Sequence, residues 1–230
     1  MPLAPEGVRV AFRLYPQAPF LLNDPAYVQE GEHVPRLEYS RTPEGYALIP
    51  ATALRGWVRY WARRILLTLS VEHGQKQKDA EVKVEGMLER LFGSTSQQSL
   101  LWFDDVRSAQ EAQPHLQIFN AVDRFTGGVA EEKLYQVCAA ECHRLEGSVY
   151  WSQTSLDRGY QGLFLLLVRD ALEGDVRLGW GKGRGYGCFQ VGIQVGEREI
   201  KTWHELKAFL QERDPLLFQE GLTALHAMIG

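Results

Sequence analysis

Gly179-Trp180-Gly181-Lys182-Gly183-Arg184-Gly185-Tyr186-Gly187 is the stretch on which the reading of this chain turns. Every second position is glycine, which is permissive in φ and lets another backbone approach closely. The residues between the glycines are two cations and two aromatics, the side chains that bind phosphate and stack on bases. An apolar run, 162–168, comes before the stretch, and 188–193 follows it with strand-like alternation. A loop held between a buried element and a strand, with these side chains, is expected to hold a nucleic-acid backbone. It lacks the Gly-Lys-Ser/Thr ending of a P-loop, and it leads into a strand where nucleotide-binding glycine loops open a helix. A mononucleotide-binding enzyme is therefore a remote alternative, and a plain structural bend is another.

The whole-chain figures limit what such a loop can be part of. The chain has 230 residues, enough for one sizeable core, with 45% hydrophobic and 23% charged residues. Its formal net charge of -4 argues against a binder driven by basic tails, so any basic surface must be a local patch. Three cysteines (Cys138, Cys142 and Cys188) are too few for a disulfide framework, and their spacing is wrong for zinc. They read as structural thiols. Residues 1–7 have no signal-peptide pattern, and no run approaches the about 18 apolar residues of a membrane span, so a cytoplasmic protein without membrane contact is expected.

Upstream of the loop the periodicities are mixed. Residues 8–15 alternate with period two and predict a strand. Residues 16–46 carry five prolines and read as a long irregular crossing. Leu54, Trp57, Val58, Trp61 and Ile65 form a buried helical stripe, with Thr52 expected to cap a helix from Ala53. Arg55, Arg59 and Arg63 make a second stripe beside it, and Gly56 predicts close approach of another backbone. Residues 71–82 read as a polar connection, 85–92 as a short helix stopped by Gly93, and 100–103 as a strand. The Asp104-Asp105 pair has no third ligand nearby for a metal. Residues 134–143 and 148–151 are expected to pair as a hairpin, 157–160 to turn, and 162–172 to form a buried helix. Thr202 with Glu205 makes a capping box for a helix to Leu210, Pro215 ends that pattern, and 222–228 reads as a terminal helix.

Strands and helices in this order predict an α+β domain of ferredoxin-like (split βαβ, RRM-like) plan with an insertion between its halves. Three segments carry a family resemblance. Leu48-Ile-Pro-Ala-Thr-Ala-Leu-Arg-Gly56 is similar to an Ile-Pro-Gly-Ser-Ser-Leu-Lys/Arg-Gly helix entrance. Val122-Asp-Arg-Phe-Thr-Gly-Gly128 is similar to Ile-Asp-Arg-x-Thr-Gly, and Leu178 to Gly187 resembles Leu-Gly-Gly-x-x-x-Arg-Gly-Tyr-Gly. In these segments the chain resembles the RAMP superfamily of CRISPR-associated proteins, in particular the repeated backbone subunits of type III effector complexes. The resemblance implies one RAMP domain over 1–230, with a long loop at 16–46, a variable region at 70–99 and a thumb-like insertion at about 107–160.

It also implies a role. Such subunits polymerise with other effector subunits along CRISPR RNA, and a thumb hairpin kinks the duplex with complementary target RNA. The RNA-binding residues implied are Thr52, Arg55, Arg59, Asp123, Arg124, Phe125, Thr126, Lys182, Gly183, Arg184, Gly185 and Tyr186. For Tyr186 the residues leave base stacking and packing against the sheet equally open. The chain departs from the pattern at Ala51, where the family has glycine. It departs again in 34–40, where the cleaving members carry an aspartate and this chain has none. Glu38 lies within this stretch and Asp24 further upstream, as the candidate catalytic carboxylates, so a subunit that binds and shapes RNA is preferred over a target-cleaving endoribonuclease. Binding requires no cofactor; Mg2+ or a similar divalent cation is expected only if the subunit cuts.

Overall fold

The computed structural model describes residues 7–22, 36–122, 124–152, 157–174 and 176–230. The ferredoxin-like unit is built from β1 (Gly7–Pro16), α1 (Ala51–Glu72), β4 (Leu101–Phe103), β8 (Leu145–Ser152), α3 (Arg158–Leu172) and β10 (Cys188–Val195). β1 lies between β10 and β8, and β4 pairs on the far side of β8, all antiparallel. This is the expected α+β plan. Further short strands extend the sheet: β3 (Leu48–Ile49) and β5 (Val106–Ser108) beyond β8, and β9 (Val176–Arg177) and β11 (Arg198–Ile200) against β10. Alternation puts Val10, Phe12 and Leu14 of β1 on one face, with Val149, Val191 and Ile193 from the flanking strands. Leu54, Trp57 and Val58 of α1 and Phe164, Leu167 and Val168 of α3 close over them.

The remaining helices follow the polar and apolar patterning. α2 (Gln77–Phe92) packs on α1 and ends at Gly93, whose φ of 80° is open to glycine. Residues 71–82, read as a connection, are therefore mostly helical, and only a short turn separates α1 from α2. The polar side chains there are solvent faces of two amphipathic helices. α4 (Trp203–Arg213) has the capping box at Thr202 and Glu205, as expected. α5 (Leu217–Ile229) crosses α3 where Gly162 meets Gly221; a Cβ on Gly162 would overlap the Gly221 carbonyl. The segment 157–160 is not a free turn. Asp157 caps α3 by accepting from the Tyr160 amide, so the helix starts at Arg158.

Two expectations at α1 fail. The helix begins at Ala51 after Pro50, and Thr52 lies inside its first turn without a capping bond. The cap comes instead from Asp105, whose Oδ1 accepts from the Ala51 amide at 2.8 Å. Asp104 accepts from the Tyr150 hydroxyl, so this acidic pair is structural. At Gly56 no backbone approaches; a Cβ there would meet nothing within 4 Å.

A second, three-stranded sheet stands beside the first. β6 (Gln113–Val122) and β7 (Val129–Glu141) form an antiparallel hairpin, and β2 (Arg36–Glu38) runs parallel to β7. The expected partner of β7 was the 148–151 segment. That strand is instead the central β8, and β7 pairs with β6, whose period-two pattern from His115 to Phe119 follows directly on Pro114. The described parts of the 16–46 crossing are ordered: Phe20 bridges Ala140, and β2 joins the hairpin. All three cysteines are free, and burial pushes the Cys142 thiol up to about 11, consistent with structural thiols. Among the described residues no helix is long and apolar enough to cross a membrane.

Candidate nucleic-acid interface

The 179–187 loop is held by main-chain bonds on both sides. The Leu178 amide donates to the Gly187 carbonyl at 2.9 Å, and the Gly187 amide to Pro19 at 3.0 Å. The Trp180 amide donates to Leu21 at 2.8 Å. A ladder then runs on from Leu22 to Ser40 and from Ser40 to Leu48, which places the loop and the helix entrance on one frame. Gly179 and Gly187 have φ of 88° and 65°, and a Cβ on either would overlap a backbone carbonyl, of Leu21 and Leu178 respectively. These two glycines are needed for the fold. Gly183 and Gly185 face open space, where a Cβ would meet nothing within 4 Å, although Gly185, at a φ of 88°, also sits in the left-handed region that favours glycine.

Between the glycines the loop makes a single 3-10 turn, Lys182–Arg184. This turn sorts the side chains. Trp180 and Tyr186 point toward the β6–β7 hairpin and pack edge-on at 5.3 Å. Phe119 of β6 and Tyr135 of β7 stack at 5.5 Å, and Phe119 meets Trp180 edge-on at 5.5 Å. Tyr186 is 7% exposed, and its hydroxyl donates to Gln117. Burial raises its pKa above the usual phenol value, which keeps that hydroxyl a donor. Of the two roles left open for Tyr186, packing is the one observed, because the hairpin covers its ring. Phe119 and Tyr135 were not singled out from sequence; the alternation of β6 was the available signal.

The two cations stay at the surface of the loop. Lys182 and Arg184 are exposed. Arg184 rests its guanidinium over Trp180 and Phe119, at 5.4 and 5.6 Å, and donates to the Tyr135 hydroxyl. Among the described residues neither cation has a carboxylate partner, so each keeps its charge for an incoming anion.

The other predicted residues divide into several groups. Thr52 and Arg55 line a groove of about 550 Å³ at the helix entrance, with Phe92, Trp102 and Phe103. Arg55 is exposed and donates to the Phe92 carbonyl. Arg59 pairs with Glu85, so its charge is already met. Arg124, Phe125 and Thr126 lie in the exposed turn that closes the hairpin; Phe125 is 100% exposed, and Thr126 accepts from the Gly128 amide at 3.3 Å. Asp24 and Asp123 lie outside the described residues. Glu38 is 6% exposed, and Arg41 pairs with it at 3.3 Å, which turns this carboxylate away from solvent. No three potential metal ligands cluster among the described residues.

The model of the RAMP superfamily matches residues 30–190, a span that contains the helix entrance, the hairpin turn and the glycine loop. No curated protein matches the chain.

Proposed function

The chain belongs to the RAMP superfamily, and we propose that it is an RNA-binding backbone subunit of a type III CRISPR effector complex. In this role it holds CRISPR RNA and shapes the duplex with complementary target RNA for antiviral defence, in a filament with other effector subunits. The observation that carries the reading is the outward rim of the glycine loop. Lys182 and Arg184 stand exposed, with no carboxylate partner among the described residues, on a chain of net charge -4. The neighbouring Gly183 and Gly185 leave the backbone open to a phosphate. The helix entrance with Arg55 and the exposed hairpin turn lie on the same framework. Binding through phosphates makes affinity fall steeply with salt, by about 0.7 in the log–log slope per contact on a single strand. Lys182→Ala with Arg184→Ala therefore lowers that slope by about 1.4, read by fluorescence anisotropy of a labelled single-stranded RNA. Unchanged affinity in that variant overturns the reading.

The loop supplies cations and backbone amides but no base, and Glu38 is committed to Arg41. We assign the subunit the binding and shaping of RNA, with target cleavage as the alternative reading. In an assembled complex supplied with labelled target RNA and Mg2+, Asp24→Ala leaves any target cleavage unchanged. Loss of cleavage with guide binding intact would reverse that assignment.

A further inference from the structure

The face of the central sheet opposite α1 and α3 holds a hollow of about 290 Å³. Its floor is set by two small residues, Ala11 of β1 and Ser148 of β8, which stand directly opposite each other in the sheet. Alternation puts longer side chains on either side of them, Arg9 and Arg13 on β1 and Glu146 on β8, and Arg107 of β5 lines the same hollow. The carboxylates around it already have partners. Asp105 accepts from the Ala51 amide and Asp104 from the Tyr150 hydroxyl. Glu146, opposite Arg107 in register, is shared by Arg13 at 3.4 Å and Arg144 at 3.2 Å. Two guanidiniums are left. Arg9 is aligned by the buried Ser148 hydroxyl, which accepts from its Nε at 3.0 Å and its Nη2 at 2.9 Å, while Nη1 makes no bond among the described residues. Arg107 is exposed, and among the described residues its side chain has neither a hydrogen bond nor an ion pair. Glu44 feels its charge, but that carboxyl is lowered chiefly by a bond to Thr42.

Guanidinium donors without carboxylates, above a floor of small side chains, complement a tetrahedral oxyanion, because the planar fork of arginine can give two parallel bonds to phosphate oxygens. We propose that this hollow binds a single phosphate group, that of a phosphate monoester, between Arg9 and Arg107. Ser148 fixes the Arg9 fork in advance, so less side-chain freedom is lost when the anion arrives. Pockets for small molecules start at about 300 Å³. The hollow therefore admits a phosphate carrying one small group, such as a nucleoside, and not a length of strand. It shares no residue with the glycine loop and does not depend on the RNA reading of that loop.

The test is a calorimetric titration of the full chain with uridine 5′-monophosphate at fixed ionic strength, with uridine as the control. The nucleotide should saturate one site per chain, and uridine should not bind. Arg107→Gln should weaken nucleotide binding about tenfold, the loss of a charge-assisted hydrogen bond. Its side chain is exposed and unbonded among the described residues, so circular dichroism and melting temperature should match the wild type. Arg9→Gln should weaken binding to a similar degree, whereas Lys182→Ala with Arg184→Ala should leave nucleotide affinity unchanged. Equal binding of uridine, or affinity lost with Lys182 and Arg184 but kept in Arg107→Gln, overturns the inference. Short oligouridylates with and without a 5′-phosphate then compete against the nucleotide and separate the sources of the phosphate. Competition by the 5′-phosphorylated strand alone identifies a strand end, and competition by neither identifies a free phosphate ester; both outcomes uphold the site. Equal competition by the two strands means that internal phosphates bind there, and the monoester site is wrong.

Discussion

In the 179–187 loop the aromatic residues turn inward and the cations outward, whereas in the turn that closes the β6–β7 hairpin the aromatic Phe125 is fully exposed beside Arg124. Both stretches mix glycine, a cation and an aromatic residue. What separates them is the neighbour each ring finds. Trp180 and Tyr186 meet Phe119 and Tyr135 on the stem of the hairpin and become part of the framework. At the far end of the same hairpin the Phe125 side chain is fully exposed. Residue type thus nominated both stretches for binding, but only the partner surface decides which rings pack and which face outward.

Substitutions can break this contrast at its strongest point first. Gly187→Ala places a Cβ against the Leu178 carbonyl at a φ of 65°. It should cost about 3 kcal/mol or more, lowering the urea midpoint and releasing the loop from its frame. RNA affinity should fall with it even though both cations remain. Phe119→Ala removes the ring at the centre of the aromatic contact, which is partly buried, and should cost about 2 kcal/mol. Amide exchange should then rise in β6 and β7 and stay unchanged in β1 and β8. Phe125→Ala should move stability by no more than about 0.5 kcal/mol in the same urea experiment, because the side chain is fully exposed. A destabilisation equal to that of Phe119→Ala would erase the distinction between the two ends of the hairpin.

The main α+β plan was legible because its elements carry their own periodicity. β1, the buried stripe of α1, α3 and the capping box of α4 are each written within a few consecutive residues. Pairing was less legible. β7 and β8 are adjacent in sequence and both strand-like, yet β7 turns back to β6 and β8 enters the central sheet. The choice depends on contacts far along the chain. The candidate site was legible in its outward cations, which are a matter of composition and loop geometry. It was not legible for Tyr186, Arg59 and Glu38, because Gln117, Glu85 and Arg41 decide their environments. For Gln117 and Glu85 these partners lie on other strands or helices.

The cap on α1 has a consequence for the order in which this protein is made. Ala51 finds its acceptor on Asp105, 54 residues downstream. No side chain next to the helix start does that work, since Thr52 lies within the first turn. The helix body can form as soon as it emerges from the ribosome, but its first turn stays frayed until β5 has been synthesised and has docked on β8. The helix entrance, with Arg55 beside it, is therefore completed only once the middle of the chain is in place. A nascent chain that ends before Asp105 carries these residues without their geometry.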